Sequence, residues 1–248
     1  MSTKLVKSLR EAIELSGLKS GMTVSFHHHL RNGDYVLNMV MDEIAAMGIR
    51  ELTVNASALF DTHAPILEHV KNHVVRKILT NYMSAGIGRS ISAGLMDEPV
   101  EFRTHGGRPR DIALGITPID VAFVAAPCSD EMGNCTGKLG KSACGSIGYA
   151  YPDAMYAKKV IVITDELVPY PLTGWSIPEI YVDSVVKVDA IGDPAGIVSG
   201  TTRMTRNPVA LVMAQTAAQV IRHSGLLKDG FSFQTGAGGA TLATAMYL

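Results

Sequence analysis

The chain has 248 residues, of which 47% are hydrophobic and 18% are charged, and its formal net charge is −1. This composition supplies a sizeable core, and the near-neutral charge leaves no overall field that would attract nucleic acid or an anionic membrane. No apolar run approaches the roughly 18 residues of a membrane span, and the N-terminus carries no signal-peptide pattern. We therefore expect a cytoplasmic protein that acts on small molecules.

Apolar periodicity predicts strands that alternate with helices along most of the chain. In the first third, the predicted elements are a helix at 5–17, a strand at 22–26, a helix at 36–47, a strand at 52–54, a helix at 63–73 and a strand at 74–80. After these we expect a helix at 87–95, an extended segment at 100–103, a helical turn at 110–114, a strand at 121–126, a helix at 154–159 and strands at 160–164 and 185–188.

The predicted strands are apolar throughout, which is typical of strands that are buried on both faces. Strands of this kind, separated by helices, build a parallel sheet with helices on each side. The sequence therefore predicts the α/β class, with an open, mostly parallel, doubly wound sheet.

The C-terminal part follows another pattern. A long Ala-rich helix at 209–221 begins beside Pro208 and ends before Gly225. A predicted strand at 231–236 then leads into a glycine-rich turn and a further helix. We expect one domain at 1–225 that includes the long helix, and the first strand and helix of a second, similar domain at 226–248. The alternative is a C-terminal helix that packs on the same sheet.

In an open parallel sheet, ligands bind beyond the carboxyl ends of the strands. Polar or glycine-rich loops follow five of the predicted elements, at 27–32, 55–62, 105–110, 127–148 and 166–175. The longest of them contains three residues whose backbone amides could converge on an anion. These candidates for contacts to an oxyanion are Gly133, Asn134 and Gly137.

Arginines beside glycines offer a second type of anion site. Arg108 and Arg110 could bind a carboxylate or phosphate through two parallel hydrogen bonds, with the backbone of Gly106 and Gly107 close by. The alternative is a solvated turn in which both arginines form salt bridges. Arg203 follows a hydroxyl-rich turn at 199–202, which either binds an anion or caps the next helix.

Three consecutive histidines, His27, His28 and His29, suggest metal binding at first sight. Successive side chains of an extended segment point to opposite faces, so only the first and third could share a ligand. We expect no metal site, because zinc would need further donors. Polar contacts to an acyl or carboxylate group are favoured over a metal, and a purely structural role for at least one of the three histidines is favoured over both. Asn32 and Asn55 are further candidates for substrate contacts.

Several common types of chemistry have no support in the sequence. The motifs GxxxxGK[ST] and GxSxG are absent, and GxGxxG does not follow a strand. Cys128, Cys135 and Cys144 match neither a disulfide framework nor zinc-ligand spacing, so we expect free thiols. A nucleophilic role for Cys135 is the less favoured alternative.

Long and unusual segments, among them SFHHHLRNGDYVLN, THGGRPRDI, AAPCSDEMGNCTG and VITDELVPYP, resemble the citrate lyase alpha subunit family of citrate CoA-transferases. The resemblance covers the whole chain and corresponds to the N-terminal half of family members. It implies a CoA-transferase fold, which is related to that of sugar-phosphate isomerases. It also implies the exchange of acetyl for citryl on an acyl carrier protein thioester, in which citrate enters and acetate leaves through a mixed anhydride.

The resemblance also implies partners: a citrate lyase beta subunit, a gamma acyl carrier protein and a homo- or hetero-oligomer. It implies no permanently bound cofactor, since a CoA-type thioester, on the carrier protein or as acetyl-CoA, enters as substrate. In related CoA-transferases the attacking glutamate lies in the second domain, so we expect little activity from this chain alone. Two alternatives stay open: a sugar-phosphate isomerase-like enzyme, and a non-catalytic assembly subunit.

Overall fold

The computed structural model describes residues 3–198, 204–236 and 238–248. The chain forms two compact units, Met1–Val198 and Ser199–Leu248. The first unit contains all the strands assigned within these ranges, and the second contains two helices. Within the described ranges, no helix combines the length and the apolar character needed to cross a membrane.

The strands and helices of the first unit alternate along the chain. The strands are β1 (Leu5–Val6), β2 (Thr23–Phe26), β3 (Leu52–Ala56), β4 (Val75–Thr80), β5 (Glu101–Phe102), β6 (Val121–Ala126), β7 (Cys128–Asp130), β8 (Cys135–Thr136), β9 (Lys159–Thr164), β10 (Leu167–Val168) and β11 (Ser184–Lys187). The helices are α1 (Leu9–Ser16), α2 (Val36–Ala46), α3 (Ile66–Lys71), α4 (Ala85–Ser90), α5 (Gly107–Ala113), α6 (Tyr151–Tyr156) and α7 (Pro194–Val198). A π-helical turn, Ile91–Leu95, continues α4.

The main sheet has eight strands in the order β1-β11-β9-β6-β2-β3-β4-β5, and every neighbouring pair is parallel. The chain first builds outward from β2 to β5, and then returns to place β6 on the other side of β2. The strand order therefore reverses between β2 and β6, and such a switch point opens a crevice at the carboxyl ends of the two strands. A smaller sheet, β10-β7-β8, lies beyond β6 in sequence.

Side chains alternate across β6 and enter two separate cores. Val121, Phe123 and Ala125 pack with buried residues of α1, α2 and α3, whereas Ala122 and Val124 pack with those of α5 and α6. A strand with helices on both faces must be apolar at every position, which explains the continuous apolar run of β6. The predicted α/β class and the doubly wound parallel sheet are confirmed.

The structure differs from the predicted N-terminal helix. Leu5 and Val6 form an edge strand that pairs with Val185 and Val186 of β11, and only the following residues are helical. The helix begins after Ser8, whose hydroxyl accepts a hydrogen bond from an amide of the first turn at 3.2 Å. Apolar spacing that is compatible with a helix cannot reveal that the first residues have a strand to pair with.

The second unit consists of α8 (Pro208–His223) and α9 (Gly239–Met246). Asn207 caps α8, because its side chain accepts hydrogen bonds from two amides of the first turn. No strand forms at 231–236, since the described residues of this unit provide no neighbouring strand. The compact units divide before α8, whereas the sequence analysis placed the boundary after residue 225. That residues 226–248 begin a second CoA-transferase domain stays a prediction.

Candidate functional site

The carboxyl ends of β2 and β6 form the central crevice of the sheet. The ladder between these strands comprises only two residue pairs, Val24 with Val121 and Ser25 with Ala122, although β6 continues to Ala126. Beyond the ladder, side chains instead of backbone groups connect the two strands. The connection between the two strands at the crevice therefore depends on the side chains of the residues that follow β2, which are the three histidines.

His27 and His29 hold the end of β6 through a closed set of hydrogen bonds. The amide of Ala125 donates to Nε2 of His27 (3.2 Å), the two histidines join through their Nδ1 atoms (2.8 Å), and Nε2 of His29 contacts the Ala125 oxygen (2.8 Å). The amide can only donate and the carbonyl can only accept. His27 must therefore carry its proton on Nδ1 and His29 on Nε2, so both rings are neutral. We call this arrangement the histidine bridge.

The histidine bridge makes stability depend on pH. Burial is the main cause that lowers the pKa of both His27 and His29 below the usual 6.5. Below that pH the unfolded chain binds more protons than the folded one, so the contribution of the bridge is complete above it and declines as the solution is acidified. We expect the free energy of unfolding to fall by up to about 1.4 kcal/mol per pH unit for each histidine, as measured by urea unfolding.

The double variant His27→Leu/His29→Leu should show a shallower pH slope between neutral and mildly acidic buffers. His73 provides the matched control, because its side chain is 73% exposed and lies outside the bridge. His73→Gln should keep the slope of the unaltered chain. Equal slopes for all three proteins would contradict the assignment of this pH dependence to the histidine bridge.

His28 faces away from the histidine bridge. Its Nδ1 lies 2.7 Å from the Ser57 hydroxyl, and its ring has edge contacts with Tyr149, His105 and Phe60, at centroid distances of 5.3, 5.7 and 6.5 Å. Burial lowers the pKa of His28 to about 4, and the neighbouring charges act in the same direction. His28 is therefore a neutral, partly exposed imidazole at the carboxyl edge of the sheet.

Arg108 lies below this edge, and its hydrogen-bond donors are directed to protein groups. Its guanidinium forms two parallel bonds with Asp153 (2.6 and 2.8 Å) and also contacts the side chain of Asn55 (3.0 Å) and backbone oxygens of Phe26 and Asn55. Arg108 and Asp153 are almost fully buried. The structure therefore does not leave Arg108 or Asn55 free to bind a substrate carboxylate. They join the ends of β2 and β3 to α6.

The other candidate residues of the 105–110 loop are exposed or partly exposed. Arg110 pairs with its neighbour Asp111 through Nε (3.0 Å) and a terminal nitrogen (2.7 Å), which matches the salt-bridged alternative. Gly106 is exposed, and the amide of Gly107 donates to the hydroxyl of Thr104 at 2.9 Å. Arg203 lies outside the described residues.

The amides of the glycine-rich loop after β6 do converge on an anion, but that anion is Asp130. Its two carboxylate oxygens accept hydrogen bonds from the amides of Met132, Gly133, Asn134 and Leu172 and from the side chain of Asn134, all at 2.9–3.0 Å. Gly133 has a φ of 99°, which glycine adopts without strain. The donors predicted for a substrate oxyanion at Gly133 and Asn134 are therefore directed to a carboxylate of the chain itself.

Two further candidates lie apart from these hydrogen bonds. Gly137 is buried, and a Cβ added there would lie 2.7 Å from Ile147 and 2.9 Å from the Cys144 sulfur, so close packing requires glycine. Asn32 is exposed, within the 3₁₀ turn Arg31–Gly33. Neither position provides a substrate contact that the geometry singles out.

The cysteines are free thiols. Burial is the main cause that raises the pKa of Cys128 and Cys135 and raises the pKa of Cys144 to about 11. A thiol with a raised pKa is a poor nucleophile at neutral pH, so the alternative role for Cys135 has no support. Within the ranges that the structure describes, no group of three His, Cys, Asp or Glu side chains could hold a metal ion.

The fold thus brings together some predicted residues and adds others. His28, Arg108 and Asn55 meet at the carboxyl edge between β2, β3 and β6, whereas Gly133 and Asn134 lie in the turn that connects β7 and β8 of the smaller sheet. Residue patterns did not identify Ser57, Asp153 or Tyr149 as part of this edge. Ser57 fell within the predicted loop at 55–62, but nothing near it in sequence pairs it with His28.

Comparison with known proteins identifies the family. The family model described as citrate lyase, alpha subunit (CitF) matches residues 2–248. The citrate lyase alpha chain of Haemophilus influenzae is 53% identical over 245 residues, which cover 99% of this chain and 49% of that protein. The chain therefore spans about half the length of this relative.

Solved structures agree in fold. A Streptococcus mutans structure, described as a citrate lyase alpha subunit in complex with citrate, is 53% identical and has a TM-score of 0.93 over 99% of this chain and 48% of its own. Glutaconate coenzyme A-transferase from Acidaminococcus fermentans is 18% identical, with a TM-score of 0.56 over 79% of this chain and 77% of its own, which shows the fold alone. Because the family model matches residues 2–248 and the similar sequence covers 99% of the chain, this chain belongs to the citrate lyase alpha subunit family.

Proposed function

We propose that this chain supplies one wall of the active site of a citrate CoA-transferase. The reaction exchanges acetyl for citryl on the thioester of an acyl carrier protein, so that citrate enters and acetate leaves. The single observation that carries the proposal is the match to the citrate lyase alpha subunit family along residues 2–248. The citrate in the structure of the Streptococcus mutans relative supports citrate as the acid.

The exchange makes three physical demands. Carboxylates of the incoming acid need a positive or hydrogen-bonding environment, developing oxyanions need fixed donors, and a mixed anhydride must be shielded from water. The aromatic ring contacts around His28 suit the third demand, and the buried charge of Arg108 lies close enough to lower the pKa of His28. Arg203 stays a predicted carboxylate ligand.

The proposal also includes the location of the catalytic residue, the partner subunits and the role of the thioester. We expect the attacking glutamate in the half of the relatives that this chain does not match, so the catalytic residue is left unassigned here. A beta subunit and a gamma acyl carrier protein are the proposed partners in a cytoplasmic oligomer. The thioester is a substrate, and we propose no permanently bound cofactor.

A transfer assay tests this function directly. Acetyl-CoA:citrate CoA-transfer should be low for the 248-residue chain and substantial for the same chain extended by the C-terminal half of the Haemophilus influenzae relative. A fusion without transfer would contradict the proposed reaction, whereas full activity of the short chain would contradict the location of the glutamate.

Thermal unfolding separates this reaction from that of a sugar-phosphate isomerase. A ligand that binds only the folded state raises the melting temperature. We expect citrate and acetyl-CoA to raise the Tm of the chain and ribose 5-phosphate to leave it unchanged. Stabilisation by ribose 5-phosphate alone would favour the isomerase alternative.

A further inference from the structure

We infer that His28 is an uncharged hydrogen-bond donor to a carboxylate of the acid substrate, and that Ser57 is the positioning residue that sets its tautomer. This inference rests on the proposed function, because it names the group that recognises the acid. It assigns to one neutral imidazole a role that the sequence analysis gave mainly to arginines.

The hydrogen bonds around His28 leave one of its nitrogens available. Nδ1 is 2.7 Å from the hydroxyl of Ser57, and the described part of the chain provides no partner for Nε2. Ser57 is fully buried, and its hydroxyl has no other partner within the same ranges. A hydroxyl can rotate, so it either accepts from Nδ1 or donates to it. When Ser57 donates, the proton of His28 must be on Nε2.

The neighbouring histidines cannot play this part. In the histidine bridge, both nitrogens of His27 and His29 are paired, and the two tautomers are fixed by the backbone of Ala125. His28 lies between them in sequence, and its own tautomer is not fixed by a backbone group. The bridge therefore anchors the chain on both sides of a ring whose protonated nitrogen can change.

The surroundings of His28 oppose a charged imidazole. The titratable and charged groups that face it are His105, His29, Arg108, Arg31 and, at the ring edge, Tyr149. Burial, together with the charges of Arg108 and Arg31, lowers the pKa of His28 and keeps it neutral at physiological pH. Asp153 already balances the charge of Arg108, so a carboxylate here would depend on an uncharged donor such as His28. Among aromatic neighbours, where water is partly excluded, a hydrogen bond to a carboxylate is stronger than in bulk water.

An uncharged donor predicts a particular pH dependence. Binding of the acid through an imidazolium would require proton uptake, so the affinity would decline as the pH rises. A neutral His28 keeps the same proton count in the free and bound states, and its pKa of about 4 places its titration well below neutrality. We therefore expect the Kd for the fully ionised form of citrate to be constant between about pH 6 and pH 8.

Nitrogen NMR of ¹⁵N-histidine-labelled protein provides the direct test. Citrate should bring the His28 signals to the pattern of the tautomer that is protonated on Nε2, without the imidazolium pattern. Ser57→Ala should abolish this change and weaken citrate binding by about 10- to 30-fold, since a buried hydrogen bond to the anion-binding group is lost. Inorganic phosphate at the same concentration should leave the His28 signals in place.

Two sets of variants separate positioning from folding. Ser84 is the matched control for Ser57, because it is also almost fully buried beyond a strand and its hydroxyl has no partner in the described structure. Ser84→Ala should bind citrate as the unaltered chain does. His28→Gln keeps an uncharged N–H donor and should lose less than about 5-fold in affinity, whereas His28→Phe should lose about 100-fold.

The outcomes distinguish this inference from the proposed function. If citrate binds the unaltered chain but Ser57→Ala and His28→Phe bind it equally well, or if His28 becomes imidazolium, the inference is wrong and the proposed function stands. The same tautomer change with phosphate would overturn the carboxylate assignment. If the unaltered chain shows no citrate binding and the extended chain no transfer, both are wrong.

Discussion

The variant Arg108→Met should lower the free energy of unfolding by about 3–5 kcal/mol, because it leaves a buried carboxylate without its cation. Asp153 is completely buried, and Arg108 is its partner through both carboxylate oxygens. The loss also removes the bonds to Phe26 and Asn55, which connect the ends of β2 and β3. Urea unfolding followed by circular dichroism measures the effect.

Arg110→Met is the matched control, since Arg110 also pairs with an aspartate but its side chain is 66% exposed. Arg110 is solvated and Asp111 keeps Arg103 as a partner, so this variant should lose at most about 1 kcal/mol of stability. The double replacement Arg108→Met/Asp153→Leu should recover part of the loss, because it no longer buries an unpaired charge. Equal stability of the two single arginine variants would contradict the prediction.

A second large effect is expected at Asp130. Replacing this carboxylate by the amide in Asp130→Asn should lower the free energy of unfolding by about 2–4 kcal/mol, as judged by the same urea titration. Each oxygen of Asp130 accepts more than one N–H, so an amide NH₂ at either position would face a donor. The loop would lose the group around which its amides are arranged, and one or more of them would remain buried without an acceptor.

Asp193 offers the control for this substitution. It also accepts an amide hydrogen bond near a turn, from Ala195 at 3.0 Å, but it is exposed. Water can replace a lost bond there, so Asp193→Asn should change stability by less than about 0.5 kcal/mol. If Asp130→Asn were equally mild, the loop would not depend on its internal carboxylate.

The fold was predictable because its strands have a clear chemical pattern. β6 and β9 are apolar at nearly every position, and only a strand buried on both faces requires this. The short edge strand β1 was missed, because its two residues are strand-like only through pairing with β11, which is about 180 residues away. The prediction of a strand at 231–236 was wrong because an extended segment becomes part of a sheet only when it has a neighbouring strand to pair with.

The candidate site was less predictable than the fold. The sequence identifies the loops at the carboxyl edge, but it does not show which of their charges are already neutralised. The partners of Arg108 are separated from it by 45 residues at Asp153 and 53 residues at Asn55, so only the fold reveals that its donors are taken. Asp130 is different, because three of its four backbone amide partners follow within four residues, and aspartate side chains often accept such local amide hydrogen bonds in turns.

Successive side chains of an extended segment point to opposite faces, and this rule gave a correct prediction for the three histidines. It paired His27 with His29 and set His28 apart, and the structure has both features. The rule could not predict what the pair binds, because the backbone of Ala125 lies almost 100 residues further along the chain. Long-range contacts of this kind decide whether a polar side chain supports the fold or remains available to a ligand.

The histidine bridge also constrains how this family can diverge. Its three hydrogen bonds connect the N–H and the C=O of a single residue, Ala125, so the loss of either ring leaves the other ring and one of these backbone groups unmatched. A substitution of His27 alone or of His29 alone should therefore destabilise the fold. Among related sequences, residues equivalent to His27 and His29 should change together, in lineages where β2 and β6 have gained a longer backbone ladder.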